Sequence, residues 1–392
     1  MAFSIKKLFF SPVDAFFRKA AKALKPSAKA VSSSTDQLLV DAIRLAELPS
    51  PAALEEPRAA FVLERLKSLV LLSEVNDSGD ILVRLHSEKA ADEAPILLFT
   101  DLGSKRWHPT ESLAQLDAEK AIGAGLSDSL GTAALLSIAE HCQTGAFFPP
   151  RDLLLLFTAK SLDDPNISFG PLLNSPQNRP FAAIGVRGLS LDRIIHSIGS
   201  YRVKITVSGE TNSAAADASN KVTETLIDTA RTLLSIAWDA EGKTKMFIRR
   251  LEALTVYGLT PQEAVLELEI ESSEGSLLEM AMNAVKATAG KIGETANLKT
   301  DTALLSFIPP GKPEKSMELF EILRKLTKEQ RIKISEENGA DPASFFTSED
   351  IPALSMGIAL GREGAERDII NIDSVEKGRL ILERFIIETC AK

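Results

Sequence analysis

The sequence predicts an α/β protein: a mostly parallel sheet with helices on both faces, carrying an inserted lid of ferredoxin-like β-α-β-β-α-β order. Three observations predict it. Strand-like and helix-like segments alternate from residue 36 onward. Two of the strand segments, "PILLFT" and "RDLLLLFTA", are dominated by continuous apolar runs of the kind buried on both faces. Between about 199 and 309 the pattern switches to period-two strands around two long helical stretches.

In order, "DQLLVDAIRLAEL" reads as a helix that stops before Pro49. "PAALEEPRAAFVLERLKSL" is a second helix with Val62, Leu63, Leu66 and Leu69 on one face. "GDILVRL" and "PILLFT" are strands, "SDSLGTAALLSIAEHC" is a helix, and "RDLLLLFTA" and "FAAIGV" are strands. "SYRVKITVSG" opens the inserted unit, and its alternation suits a half-exposed edge strand that could pair with its own copy. The helix "SNKVTETLIDTARTLLSIAW", the strands "MFIRRLEALTVYG" and "AVLELEIES", the helix "SLLEMAMNAVKATA" and the strand "TALLSFIPP" complete it. The first unit resumes with the helix "KSMELFEILRKLTKEQ", the strand "ALSMGIA" and the closing helix "SVEKGRLILERFIIETC". The expected organisation is a basic segment and linker at 1–35, an α/β domain at 36–198 and 310–392, and the lid at 199–309.

Composition narrows the function classes. A chain of 392 residues suits two domains, and 44% hydrophobic with 25% charged residues is ordinary for a globular protein. No apolar run reaches the roughly 20 residues of a membrane helix. Cys142 and Cys390 cannot make a disulfide framework, so a reducing cytoplasm is the expected location. The net charge of −9 argues against nucleic acid as a partner.

That charge is uneven. Residues 1–35 carry seven Lys or Arg and a single acid, Asp14, for +6, which leaves −15 for the rest. Phe9, Val13, Phe16, Phe17, Ala20 and Leu24 recur there at helical spacing, before "KPSAKAVSSSTD" reads as linker. Such a basic amphipathic helix suits packing on its own domain or a protein partner, an anionic membrane surface, or a transit peptide.

Four phrases, in this order and spacing, resemble the dinuclear zinc peptidases and amidohydrolases of metallopeptidase family twenty, the group of aminoacylases, acetylornithine deacetylases and peptidase T. "LAELPSPAALEEPRAAFVLERLKSL" resembles the family's opening helix, Pro-Ser-Pro turn and second helix. "GAGLSDSLGTAALL" resembles its Gly-x-x-Asp loop, "GSYRVKITVSG" the start of its lid, and "EDIPALSMGIALG" the strand before its last metal ligand. The resemblance covers most of 36–392. It implies two Zn²⁺ ions that polarise an amide carbonyl and lower the pKa of a bridging water, with a Glu as base.

The positions that the resemblance assigns to this chemistry have changed. The His-x-Asp motif falls on Phe99, Thr100 and Asp101, with Phe in place of His. The bridging Asp falls on Asp128 and is kept. The Glu-Glu pair falls on Ser161 and Leu162, the next Asp on Arg187, and the last His on Gly364, Ala365 or Glu366. The lid's substrate-binding His, Asn and Arg fall on Asn212 or Ser213, on Gly258 and near Glu271. An acid at Glu271 would repel a free carboxylate. No cofactor is expected; zinc is the alternative. Two close carboxylates, Asp101 and Asp128, would need a cation in a dry cleft, and an Arg187–Asp128 ion pair is expected to supply it, with Lys160 as a second source.

The remaining motifs carry less. His108, His86 and His196 read as loop or strand-end histidines. His141 and Cys142, adjacent on a helix, point about 100° apart and chelate poorly. "GLSDSLG" lacks the second Gly of a nucleophile elbow. The expected function is a non-catalytic zinc-peptidase-like protein with a binding or scaffolding role. The alternative is a metal-dependent peptidase or amidohydrolase on small peptides or N-acyl amino acids with an altered site. A third reading places the function in the N-terminal helix, and the lid suggests a homodimer.

Overall fold

A computed structural model describes residues 33–48, 50, 54–87, 93–104, 114–161, 164–209, 221–253 and 261–391. The expected N-terminal helix, Leu162, His108, Asn212, Ser213 and Gly258 lie outside these residues.

The chain begins with helices α1 (Ser33–Ala46) and α2 (Glu56–Ser68), then strands β1 (Glu74–Val75), β2 (Ile81–Leu85) and β3 (Ile96–Asp101). Helix α2 starts later than its sequence suggests, because Pro57 occupies its first turn, where a missing N–H costs nothing. Strands β4 (Gln115–Leu116) and β5 (Lys120–Gly123) precede the long helix α3 (Leu126–Thr144). Then come β6 (Leu153–Thr158), α4 (Asn166–Leu173), β7 (Ala182–Arg187) and the sixteen-residue β8 (Arg193–Ser208). The second unit continues with α5 (Lys221–Leu234), β9 (Thr244–Ala253), β10 (Glu263–Ser272), α6 (Gly275–Ala296) and β11 (Lys299–Ile308). The chain closes with α7 (Met317–Glu329), β12 (Ser335–Ala340), α8 (Ala343–Ser348), β13 (Ala353–Gly357), β14 (Gly361–Arg362), β15 (Asp368–Asn371) and α9 (Ile372–Cys390).

The central sheet has the order β1-β2-β6-β3-β7-β13. Pairs β6-β3, β3-β7 and β7-β13 are parallel; β1 and β2 add antiparallel at one edge. The apolar runs explain why β3 and β6 sit inside. Ile96, Leu98, Leu153, Leu155 and Phe157 join the large core beneath α3 and α9, while Leu97, Phe99, Leu154 and Leu156 join a second core on the opposite face. Helix α3 is buried almost all round between this sheet and α1. A smaller antiparallel sheet, β14-β15-β5-β4, lies beside its N-terminus.

The second unit is a βαββαβ sheet of order β11-β8-β10-β9, with α5 and α6 on one face. Alternation decides which face is covered: Val203, Ile205, Val207, Leu266, Leu268 and Ile270 pack under the helices. The expectation of an edge strand at "YRVKITVSG" is corrected. β8 lies between β11 and β10, and among the described residues the outer strands are β9 and β11. The half-exposure of β8 comes from the helix-free face of the sheet, not from an edge. Strand β8 also ties the units together, since Arg193–Ile198 pair parallel with β12 before the strand continues into the lid. The chain enters at Gly199 and leaves at Pro310, so close that a Cβ on Gly199 would meet Pro310 at 2.8 Å.

Candidate functional site

The C-terminal ends of β3, β6 and β7 meet the N-terminus of α3 under the helix-free face of the lid sheet. They enclose a cavity of about 300 Å³. Asp101, Asp128, Ser161, Arg187 and Glu363 line it from the α/β side, and Arg202, Arg249, Glu269, Glu271 and Ile308 line it from the lid. Strand-end crevices of this kind are where open α/β sheets place their ligands. The structure therefore brings together four of the six residues singled out in the sequence, and Phe99 lies directly beneath.

Asp101 is the last residue of β3. Its Oδ1 lies within hydrogen-bond distance of Thr158 Oγ1, at 3.0 Å, and of Ser161 Oγ; the two hydroxyls are 2.6 Å apart, so when one donates to Asp101 the other can donate to that first hydroxyl. Thr132 Oγ1 donates to its backbone carbonyl at 3.2 Å, which fixes the strand end against α3. Asp128 lies in the first turn of α3, where the helix dipole favours an acid, and its Oδ2 accepts from Ser104 Oγ at 2.8 Å. Gly188, in the loop after β7, has no space for a Cβ against the Ser127 carbonyl, so β7 and α3 meet backbone to backbone.

The expected Arg187–Asp128 ion pair does not form. Arg187 Nη2 instead donates to Asp341 Oδ2 at 2.5 Å. Asp341 is fully buried just after β12, and its Oδ1 accepts from Ser355 Oγ and the Ala343 amide, both at 2.8 Å. Among the described residues a cation whose charge couples to Asp128 is Arg58, which the sequence reading did not single out. Arg58 is 2% exposed and donates to the carbonyls of Leu45 at 3.0 Å and Leu102 at 3.2 Å. Burial pulls its guanidinium pKa down to about 10, and the charge of Asp128 opposes that shift. A signal for Arg58 existed: it stands four and eight residues before Val62 and Leu66 on the buried stripe of α2.

Phe99 is 5% exposed and faces away from water, its ring 5.1 Å from that of Phe169 and 5.5 Å from that of Phe346. Lys160 adopts a left-handed backbone, φ 60°, and its amide donates to Glu55 Oε1 at 3.3 Å; it is not among the residues that line the cavity. Of the loop after β14, it is Glu363 rather than Gly364, Ala365 or Glu366 that reaches the cavity. On the lid, Glu269 accepts from Arg202 Nε at 3.2 Å and from Arg249 Nε at 2.6 Å. Burial, then the neighbouring Glu269, pushes the pKa of Glu271 up.

The remaining histidines are tied up elsewhere. His141 Nδ1 is 2.6 Å from Glu383 Oε1, which joins α3 to α9, and His86 and His196 pair with Asp152 and Glu336. Among the described residues no group of three His, Cys, Asp or Glu side chains is placed to hold a metal ion. No described helix is long and apolar enough to cross a membrane.

No protein-family model matches the sequence, and no curated protein does. Solved structures do match across almost the whole chain. Aminopeptidase PepT from Bacillus cereus superposes with a TM-score of 0.65 at 13% identity, covering 91% of this chain and 99% of that one. YxeP of Bacillus subtilis, a dinuclear metal-binding peptidase of family twenty, gives 0.58 at 11% identity over 91% and 98%. The di-peptidase Dug1p of Saccharomyces cerevisiae gives 0.66 at 14% identity over 90% and 95%. The chain therefore has the fold of these peptidases, lid included.

Proposed function

We propose that this chain is a ligand-binding protein built on the fold of the dinuclear zinc peptidases, with a crevice that does no zinc chemistry. The observation that carries this reading is Phe99, whose ring is locked among Phe169 and Phe346 where the resemblance puts a metal-binding imidazole. The donor chemistry supports it. A dinuclear zinc centre needs about five imidazole and carboxylate ligands, whereas the described strand ends offer Asp101 and Asp128 with hydroxyls and guanidinium groups. Such a donor set does not fit two dications, and Arg58 supplies positive charge behind Asp128.

The structural comparisons favour a second reading more directly than this one. The proteins sharing the fold are an aminopeptidase, a metal-binding peptidase and a di-peptidase. On that reading the chain is a metal-dependent peptidase or amidohydrolase with an altered site, Asp128 is a ligand, and zinc is the cofactor. The two are separated by assaying purified full-length protein, with added Zn²⁺ or Mn²⁺, on tripeptides and N-acyl amino acids. The binding reading expects no turnover above that of the Asp128→Ala variant. Turnover that Asp128→Ala abolishes overturns it.

Two associations belong to the same proposal. The lid offers its outer strands β9 and β11 for a homodimer, and the basic segment 1–35 has the composition for a protein partner or an anionic membrane surface. Sedimentation of the full chain, alone and with anionic vesicles, tests both against a variant lacking residues 1–32.

A further inference from the structure

The two most exposed large apolar side chains among the described residues stand at one turn. Val70 is 82% exposed and Leu72 is 93% exposed, in the link between α2 and β1, and Val75 on β1 is 53% exposed. The turn that presents them is strained. The Val70 amide donates to the Lys67 carbonyl at 3.0 Å and the Leu71 amide to the Leu66 carbonyl at 3.1 Å, a helix C-terminal motif whose left-handed position ordinarily carries Gly or Asn. Here that position is Val70, at φ 59°, and a β-branched residue in the left-handed region is an outlier. A glycine would close the same turn without strain, so what the valine adds is an apolar surface turned to water.

The first 32 residues join the molecule at the same end. Arg58 reaches the Leu45 carbonyl and Arg65 reaches Asp41, so α1 and α2 run antiparallel, and the start of α1 at Ser33 lies toward the α2 end that carries Val70. Those residues bring complementary features. Phe9, Val13, Phe16, Phe17, Ala20 and Leu24 recur at helical spacing, and seven Lys or Arg against Asp14 give +6. The stretch from Lys25 to Ser32 can span about 26 Å when extended. From Phe61 to Gly79 the exposed charges are Glu64, Lys67, Glu74 and Asp77, three acids to one base. A surface of that sign attracts the basic segment and repels an anionic bilayer.

We propose that residues 9–24 of this same chain dock on the turn between α2 and β1, laying the apolar stripe from Phe9 to Leu24 on Val70, Leu72 and Val75 with its basic residues toward Glu64, Glu74 and Asp77. Burial of that stripe against the body removes apolar surface of both from water. The contact is independent of what the crevice does. A membrane or a partner protein that takes the segment must first displace it from the body, so the docked state holds those associations in check.

The test is carbodiimide cross-linking of the full-length chain, which joins lysine amines to carboxylates in contact, read by mass spectrometry of the monomer and dimer bands of a denaturing gel. The expected links run from Lys19, Lys22 or Lys25 to Glu64, Glu74 or Asp77 and lie in the monomer band. Phe16→Glu combined with Phe17→Glu lowers their yield roughly tenfold, as for loss of buried aromatic contacts. Val70→Gly lowers it too, and because glycine suits the left-handed turn the body stays folded. Leu234→Ser, at an exposed leucine that ends α5 on the lid, leaves the yield unchanged. Links found only in the dimer band give the patch to a second copy of the chain. Links that form only when anionic vesicles are added give it to a membrane-bound state. Either result, an absence of links, or indifference to both Val70→Gly and the Phe16, Phe17 double variant overturns the proposal.

Discussion

Arg187 at the end of β7 is bound to Asp341 at 2.5 Å, so the guanidinium that enters the crevice is held by a carboxylate outside it. Asp341 is fully buried while the Arg187 side chain is about a third exposed, so the pair is anchored on its acidic side. Removing the arginine leaves a buried carboxylate with two neutral donors, Ser355 and the Ala343 amide. Arg187→Ala is expected to cost about 1–3 kcal/mol in urea unfolding, below the range for breaking a fully buried pair because the arginine is partly solvated. Arg187→Ala combined with Asp341→Asn recovers part of that loss. A single-variant cost below about 0.5 kcal/mol contradicts the anchoring.

Phe99 belongs to the core on the face of the sheet away from α3. Phe99→Ala opens a void between Phe169 and Phe346 and is expected to cost about 3–5 kcal/mol. Phe99→His is more informative. An imidazole in that aromatic cluster loses its hydration among Phe169 and Phe346, so a loss of about 2 kcal/mol is expected, with no gain in zinc affinity. A His variant as stable as the parent means that the position opens to the crevice.

Gly188 holds β7 against the first turn of α3. Gly188→Ala forces its Cβ into the Ser127 carbonyl, backbone against backbone. A cost of about 3 kcal/mol or more is expected, at the upper end for overpacking, together with loss of crevice binding. Stability within about 1 kcal/mol of the parent in urea unfolding contradicts that close approach.

Cys142 tests burial between α3 and α9. Burial, reinforced by the Glu383 carboxylate, pushes its thiol pKa up to about 12. Alkylation by iodoacetamide at pH 8 is then roughly a thousandfold slower than for an ordinary thiol, rising tenfold per pH unit. Mass spectrometry of native and urea-unfolded protein measures the difference. Rapid native labelling of Cys142 contradicts the packing of α9.

Glu271 makes a prediction about pH. Its folded pKa lies above the unfolded value, so the folded state holds the proton over the window just above pH 4.5 and stability falls as pH rises through it. Glu271→Gln removes that penalty. The variant is expected to unfold at higher urea than the parent at pH 7, with the difference vanishing near pH 4. Equal midpoints at pH 7 mean that the carboxylate is fully solvated.

The parts legible in the sequence are those written in local patterns. The apolar runs of β3 and β6 marked the buried sheet, and Asp101 and Asp128 came to the crevice because strand ends and helix starts converge there. What was not legible depends on partners far along the chain. Asp341 is 154 residues from Arg187, and nothing local marks it as the preferred acid over Asp128. β8 alternates in the same way whether it lies at an edge or inside a sheet with one bare face, so alternation alone could not place it. The two-residue strands β4 and β14 are too short for any period to show. Arg58 was readable from its stripe with Val62 and Leu66, but a charged residue on an apolar face is easily taken for a solvated neighbour.

Whether the crevice does zinc chemistry is decided by the metal content of full-length protein, purified without chelator and then titrated with Zn²⁺ by calorimetry. The expected result is zinc well below one ion per chain and no saturable heat that Asp128→Ala removes. Close to two ions per chain, lost in Asp128→Ala, would contradict the metal-free reading.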